Sequence, residues 1–126
     1  MSENEIGQNL GANDTEKNYD NAIKGLGANN GKVVGIARVI ENFDEIDRLQ
    51  DGDILVTKFT DTGWTTKFAI LSGIVTEYGG ILCHAAIVSR EYGIPAIVSC
   101  TGIMDKIKDG EIITINGTTG EIRKGK

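Results

Sequence analysis

The only histidine in the chain, His84, stands in the run YGGILCHAAIVSREYGIP at residues 78–95, directly behind two glycines and ahead of a helix-like segment. A neutral imidazole is a nucleophile that can take up a phosphoryl group as a phosphoramidate, dividing one transfer into two easier ones. Gly79 and Gly80 let the backbone bend sharply and approach a bound group closely. Such a pair is ordinarily just a turn, and a turn with free N–H groups can also hold phosphate oxygens. Residues 85–92 read as a helix with Gly93 as its stop and Pro95 just beyond. His84 then falls at or beside a helix N-terminus, where backbone N–H groups lack intrahelical partners and the helix dipole favours an anion. Ala85 and Ala86 leave room for a phosphoryl group and its donor. A buried, hydrogen-bonded histidine is the plainer alternative; the glycine turn and the small-residue helix start favour a phosphoacceptor. Cys83 beside His84 opens a second chemistry, a thiol enzyme activated at the helix start, although sequence neighbours there point different ways. Cys100 follows a strand and reads as core.

Several elements must position this stretch. Residues 1–30 are rich in Asn, Gly and acids with no sustained apolar period, and are expected to be a flexible leader or linker. The folded domain is then expected over 31–126. Residues 31–40 and 53–58 read as strands. Between them Asn42 and Glu45 have capping-box spacing for a short helix, with Phe43, Ile46 and Leu49 on one face and Gly52 at its end. Residues 59–72 begin as a turn and become helical, with Trp64, Phe68 and Leu71 at core spacing. Residues 73–77 form a strand leading to the Gly79-Gly80 turn, and residues 96–99 form the strand after the histidine helix. A connector at 105–108 precedes a hairpin of strands 111–115 and 121–124 around the turn 116–120. Strands alternating with short helices make a compact α/β domain.

Composition narrows the function classes. A chain of 126 residues, 40% hydrophobic and 25% charged, is one ordinary globular domain. Four of its five net negative charges fall in the first 20 residues, and no basic stripe supports nucleic-acid binding. No apolar run approaches the roughly 18 residues needed to span a bilayer, and the acidic, polar N-terminus is unlike a signal peptide, so a cytoplasmic protein is expected. Two cysteines without metal spacing and one histidine predict no metal site.

The pattern G-G-x-x-x-H-A-A-I-V-x-R-E-x-G-I-P-A resembles the phosphohistidine signature of the phosphoenolpyruvate-utilising enzymes. These include phosphoenolpyruvate synthase, pyruvate phosphate dikinase, enzyme I of the sugar phosphotransferase system and rifampicin phosphotransferase. The likeness runs from about Gly31 to the C-terminus. It implies a swivelling β/β/α phosphohistidine domain, with His84 as the phosphoacceptor reacting through its distal nitrogen. The expected phosphate contacts are Gly79, Gly80, Cys83, Ala85, Ala86, Thr57 and Arg90. Arg90 is part of the motif, though six residues along a helix lies off the histidine's face. The segment TKFTDTGWTT resembles T-x-x-T-D-P-x-W, which brings in Thr57, Thr60, Asp61 and Trp64. Thr57 is expected to frame the histidine and Trp64 to be core. Leu82 departs from the pattern, which usually has Thr, Ser or Asn there.

The chain has no G-x-x-x-x-G-K-[ST] loop and is too short for an ATP-grasp module or a phosphoenolpyruvate-binding barrel. No cofactor is expected in this domain; ATP and Mg²⁺ are implied in partner domains. The expected role is a phosphoryl carrier between a nucleotide or phosphoenolpyruvate site and a pyruvate-type or small-molecule hydroxyl site. It would form the phosphohistidine part of a synthase- or dikinase-like phosphotransferase, inactive alone. Its partners would be ATP-binding and substrate-binding domains or chains, with no nucleic acid and no membrane. The alternatives are a non-catalytic binding or regulatory module of the same fold and a Cys83-dependent thiol enzyme.

Overall fold

The computed structural model describes residues 22–125. In chain order its elements are β1 (Ile23–Lys24), β2 (Leu26–Asn29), β3 (Lys32–Ile40), a 3₁₀ turn (Phe43–Arg48), β4 (Ile54–Thr57), a 3₁₀ turn (Thr62–Trp64), α1 (Thr65–Phe68), β5 (Gly73–Thr76), α2 (His84–Tyr92), β6 (Ala96–Val98), α3 (Ile103–Lys106), β7 (Ile112–Asn116) and β8 (Glu121–Lys124). Every residue of β4, β5 and β6 is buried, so these strands carry uninterrupted apolar runs instead of an alternation. They pair in parallel with one another and with β3, and β3 pairs antiparallel with β7.

The two faces of these strands feed two cores. Leu55, Ile74, Ala96 and Val98 pack with Trp64, Phe68, Leu71 and the inner face of α2 (Ala85, Ala86, Val88). Ile54, Val56, Val75 and Ile97 pack with Ile113, Ile115, Ile122, Ile103 and Cys100. Burial pushes the Cys100 thiol up, with Lys106 opposing and Glu77 adding to the shift. Helix α2 lies on the first face, which fixes the height at which its N-terminus leaves the sheet.

The strand order is β1-β8-β7-β3-β4-β5-β6-β2. Its two ends, β1 and β2, are separated in sequence by Gly25 alone, so the sheet nearly closes on itself. Residues 22–30 are therefore not a leader: Ile23 and Lys24 pair with β8, and residues 26–29 pair with β6. The other residues of the expected leader, 1–21, lie outside the described residues. The seam is made by backbone against backbone. Gly25 N–H donates to the Gly120 carbonyl at 2.8 Å and Gly117 N–H to the Gly31 carbonyl at 2.7 Å. A Cβ on Gly27, Gly117 or Gly120 would run into the carbonyl oxygen of Gly117, Asn29 or Gly25.

Other expectations shift in detail. Asn42 caps with no side-chain bond, and Glu45 accepts from the Glu41 N–H at 3.2 Å, so the capping box is not formed and the segment is a 3₁₀ turn. The expected helix within 59–72 is a single α turn behind a 3₁₀ turn, with Trp64, Phe68 and Leu71 buried as their spacing predicts. Residues 103–106 are helical, so the first half of the connector expected at 105–108 is the end of a helical turn. Among the described residues no helix is long and apolar enough to cross a membrane.

Gly117→Ala forces a methyl group into the Asn29 carbonyl across the seam. It is expected to lower stability by about 1–3 kcal/mol in urea unfolding, the usual cost of overpacking, and an unchanged midpoint would refute a backbone seam.

Candidate functional site

Helix α2 starts at His84 and ends at Gly93, whose φ of 69° lets it take the left-handed C-cap that a side chain resists. Cys83 is the N-cap with extended backbone (φ −73°, ψ 166°) and makes no side-chain cap bond. The first N–H that closes back is that of Ile87, donating to the Cys83 carbonyl at 3.0 Å. The N–H groups of His84, Ala85 and Ala86 precede it, and such first-turn donors have no acceptor within a helix. The α2 start thus offers an anion three donors beside an imidazole.

Threonines hold the ring at both nitrogens. Thr60 Oγ1 lies 2.8 Å from Nδ1 and Thr65 Oγ1 lies 3.2 Å from Nε2. Phe68 packs its ring edge-to-face against the imidazole at 5.9 Å between centroids. Thr60 leads into the 3₁₀ turn, Thr65 opens α1 and Phe68 closes it, so one short segment supplies all three contacts. His84 itself is half-buried, with its helix anchored and its site open to the surface.

The turn ahead of the helix is built as the glycines imply. Gly79 has φ 117°, and a Cβ there would stand 2.8 Å from Cys83 Sγ. Gly80 is in open space, and its carbonyl accepts the Cys83 N–H at 3.0 Å. Ile81 and Leu82 project outward, Leu82 at 78% exposure, and no charged residue occurs from Tyr78 to Ile87.

The remaining expected site residues fall elsewhere. Thr57 is buried and donates its hydroxyl to the Ile40 carbonyl at 2.7 Å, so it braces β3 against β4; Thr60, one turn of chain later, frames the histidine. Arg90 donates to two backbone carbonyls, from Nε to Ala28 at 3.1 Å and from Nη2 to Ile81 at 2.8 Å. It ties β2 to the glycine turn. Asn29 complements it at the other end of α2, donating from Nδ2 to the Ile94 carbonyl at 2.8 Å and the Ser89 carbonyl at 3.2 Å. Because both ring nitrogens of His84 face threonines, Cys83 has no imidazole base. Trp64 is buried against Phe43, edge to face at 5.7 Å.

Residues 49–120, more than half of the chain, match the family model described as the PEP-utilising enzyme, mobile domain. The chain belongs to that family. Over 101 residues it is 50% identical to a rifampicin phosphotransferase of Bacillus cereus, a match covering 80% of this chain and 12% of that one. Over 109 residues it is 39% identical to a probable phosphoenolpyruvate synthase of Methanothermobacter thermautotrophicus, covering 86% of this chain and 16% of that one. The chain thus spans less than a fifth of these relatives' length. The solution structure of an Enzyme I protein superposes with a TM-score of 0.57 at 22% identity, over 64% of this chain and 34% of that one, which shows the shared fold.

The unfilled N-cap makes a separate check on this mobile domain. Cys83→Asp supplies the missing side-chain acceptor and is expected to raise unfolding stability by about 1 kcal/mol. A destabilised variant would contradict the capping geometry.

Proposed function

We propose that this domain is a phosphoryl carrier, with His84 taking a phosphoryl group at one partner site and surrendering it at another. The observation that carries the reading is the placement of one imidazole beside three first-turn N–H groups, with both ring nitrogens held by hydroxyls. A phosphoryl group on Nε2 brings negative charge to the positive end of α2, where the backbone donors need no reorganisation to receive it. In-line attack by the ring nitrogen makes the N–P bond as the donor's P–O bond breaks, and stabilisation is positional and electrostatic. Gly79, Gly80, Ala85 and Ala86 leave the phosphoryl oxygens close access to backbone; Cys83 contributes its main chain at the N-cap. Arg90 and Thr57 act on the scaffold, outside the phosphate contacts.

The donor and final acceptor belong to partner domains or chains: a nucleotide or phosphoenolpyruvate site on one side, a pyruvate-type or small-molecule hydroxyl site on the other. Membership of the mobile-domain family supports phosphotransfer, and the small share of each relative that the chain spans supports partners that complete the reaction. ATP and Mg²⁺ act in those partners, and the setting is cytoplasmic. The uncharged surface from Tyr78 to Ile87, with Leu82 outermost, suits transient docking in which water is kept from the reacting nitrogen.

Intact mass after incubation with Mg-ATP or phosphoenolpyruvate and candidate donor domains tests the reading. One phosphate adduct, lost in acid and absent from His84→Ala, is expected. An adduct that persists in His84→Ala contradicts it, and no adduct with any donor favours a non-catalytic module of the same fold.

A further inference from the structure

On the outer face of β3, β7 and β8 a cleft of about 250 Å³ is lined by Lys32, Val34, Thr114, Asn116, Glu121 and Arg123. Strand register sets these side chains in neighbouring rows. Val34, Thr114 and Arg123 stand opposite one another across the three strands, and so do Lys32, Asn116 and Glu121. Asn116 gives its Oδ1 to the Thr118 and Thr119 N–H groups at 2.9 and 3.2 Å, which leaves its Nδ2 hydrogens for the cleft. The Thr114 hydroxyl donates to the Gly125 carbonyl at 2.9 Å, so towards the cleft its oxygen accepts. Arg123 Nη2 is 3.8 Å from Glu121 Oε1, too long for a hydrogen bond. Glu121 also has Lys24 opposite it on β1, which offsets its charge, and Lys32 with Arg123 leaves the cleft cationic.

We propose that this cleft is an anion site for a small hydroxy compound carrying a phosphate or a carboxylate. The Arg123 fork matches either oxyanion with paired N–H donors, and Lys32 adds a point charge. Asn116 Nδ2 donates to the same group, Thr114 accepts from the ligand's hydroxyl, and Val34 packs on its carbon skeleton. The volume falls below the roughly 300–1,000 Å³ of drug-sized pockets, which limits the ligand to a few carbons. Lys32 opens the nine-residue strand β3, and Ile40 at its other end receives the Thr57 hydroxyl. The cleft is therefore about 25 Å of strand away from the His84 end, and the site stands independently of the phosphohistidine reading. An occupant joins β3 to β7 and β8 beside the turn that closes the seam. Asn116 leads into that turn, and the Gly31 carbonyl, one residue ahead of Lys32, receives the Gly117 N–H. Binding at the cleft thus holds the sheet closed, and a ligand that binds the folded chain alone raises its stability by mass action.

The test titrates the ¹⁵N-labelled chain with glycerol 3-phosphate and, separately, with glycerate, each against sodium chloride of equal ionic strength. Saturable shifts of the Lys32, Val34, Thr114, Asn116 and Arg123 amides are expected, with a rise in thermal midpoint at saturating ligand. Lys32→Gln and Arg123→Gln are each expected to weaken binding about tenfold, the scale of one charge-assisted hydrogen bond. The amide spectra of both variants report whether the fold is intact. Tighter binding of glycerol 3-phosphate assigns the site to phosphates, and tighter binding of glycerate assigns it to carboxylates. Shifts that grow linearly and match those in sodium chloride overturn the proposal. Saturable shifts confined to the first turn of α2, or unchanged affinity in both variants, overturn it as well.

Discussion

Helix α2 has to start in open space with its first N–H groups unspent, and the rest of the domain compensates for that. An N-cap residue with no side-chain bond forgoes about 1 kcal/mol relative to Ser, Thr, Asn or Asp at the same place. The stabilisation is moved to the other parts of the helix. Ala85, Ala86 and Val88 seal its inner face against the sheet. Gly93 ends it in a left-handed turn, and Asn29 satisfies carbonyls at its C-terminal end. Arg90 fastens the glycine turn by the Ile81 carbonyl. Everything but its own cap holds the helix in place.

That arrangement depends on the seam of the sheet. Strand β2 carries both Asn29 and the Ala28 carbonyl that receives Arg90, so the strand that closes the sheet is also the one that anchors the helix starting at His84. It reaches that position because Gly27, Gly117 and Gly120 allow main chains to pass closer than any side chain would permit. Packing of the sheet, placement of α2 and exposure of His84 are thereby one coupled geometry.

Much of this is legible in the chain. The apolar runs that become β4, β5 and β6, the helix from His84 and its Gly93 stop follow from periodicity and from the one residue type suited to each turn. The edge segments are not legible in the same way. Residues 22–30 read AIKGLGANN, and they join the fold by backbone hydrogen bonds that leave no hydrophobic pattern. The site shows the same division. His84 and its glycines stand out by type and spacing, whereas Thr57 and Thr60 are equivalent in sequence, and only the exit of the chain from β4 decides which one meets the ring. Thr65 carries no sequence signal, because its relation to His84 exists only after α1 packs beside α2. Arg90 looks like a phosphate ligand by its charge; its guanidinium is taken up by two carbonyls whose approach depends on the closed sheet.

The central claim is that a phosphoryl group on His84 lodges against the first turn of α2. The most direct measurement is the backbone amide spectrum of the chain before and after phosphorylation by phosphoramidate. The amide protons of His84, Ala85 and Ala86 should move downfield together and more than any others, as they take up phosphoryl oxygens, with smaller changes at Gly79 and Gly80. Phosphorylated protein in which these three amides stay in place, or in which the largest changes fall on α3 or the β7–β8 turn, would contradict the account.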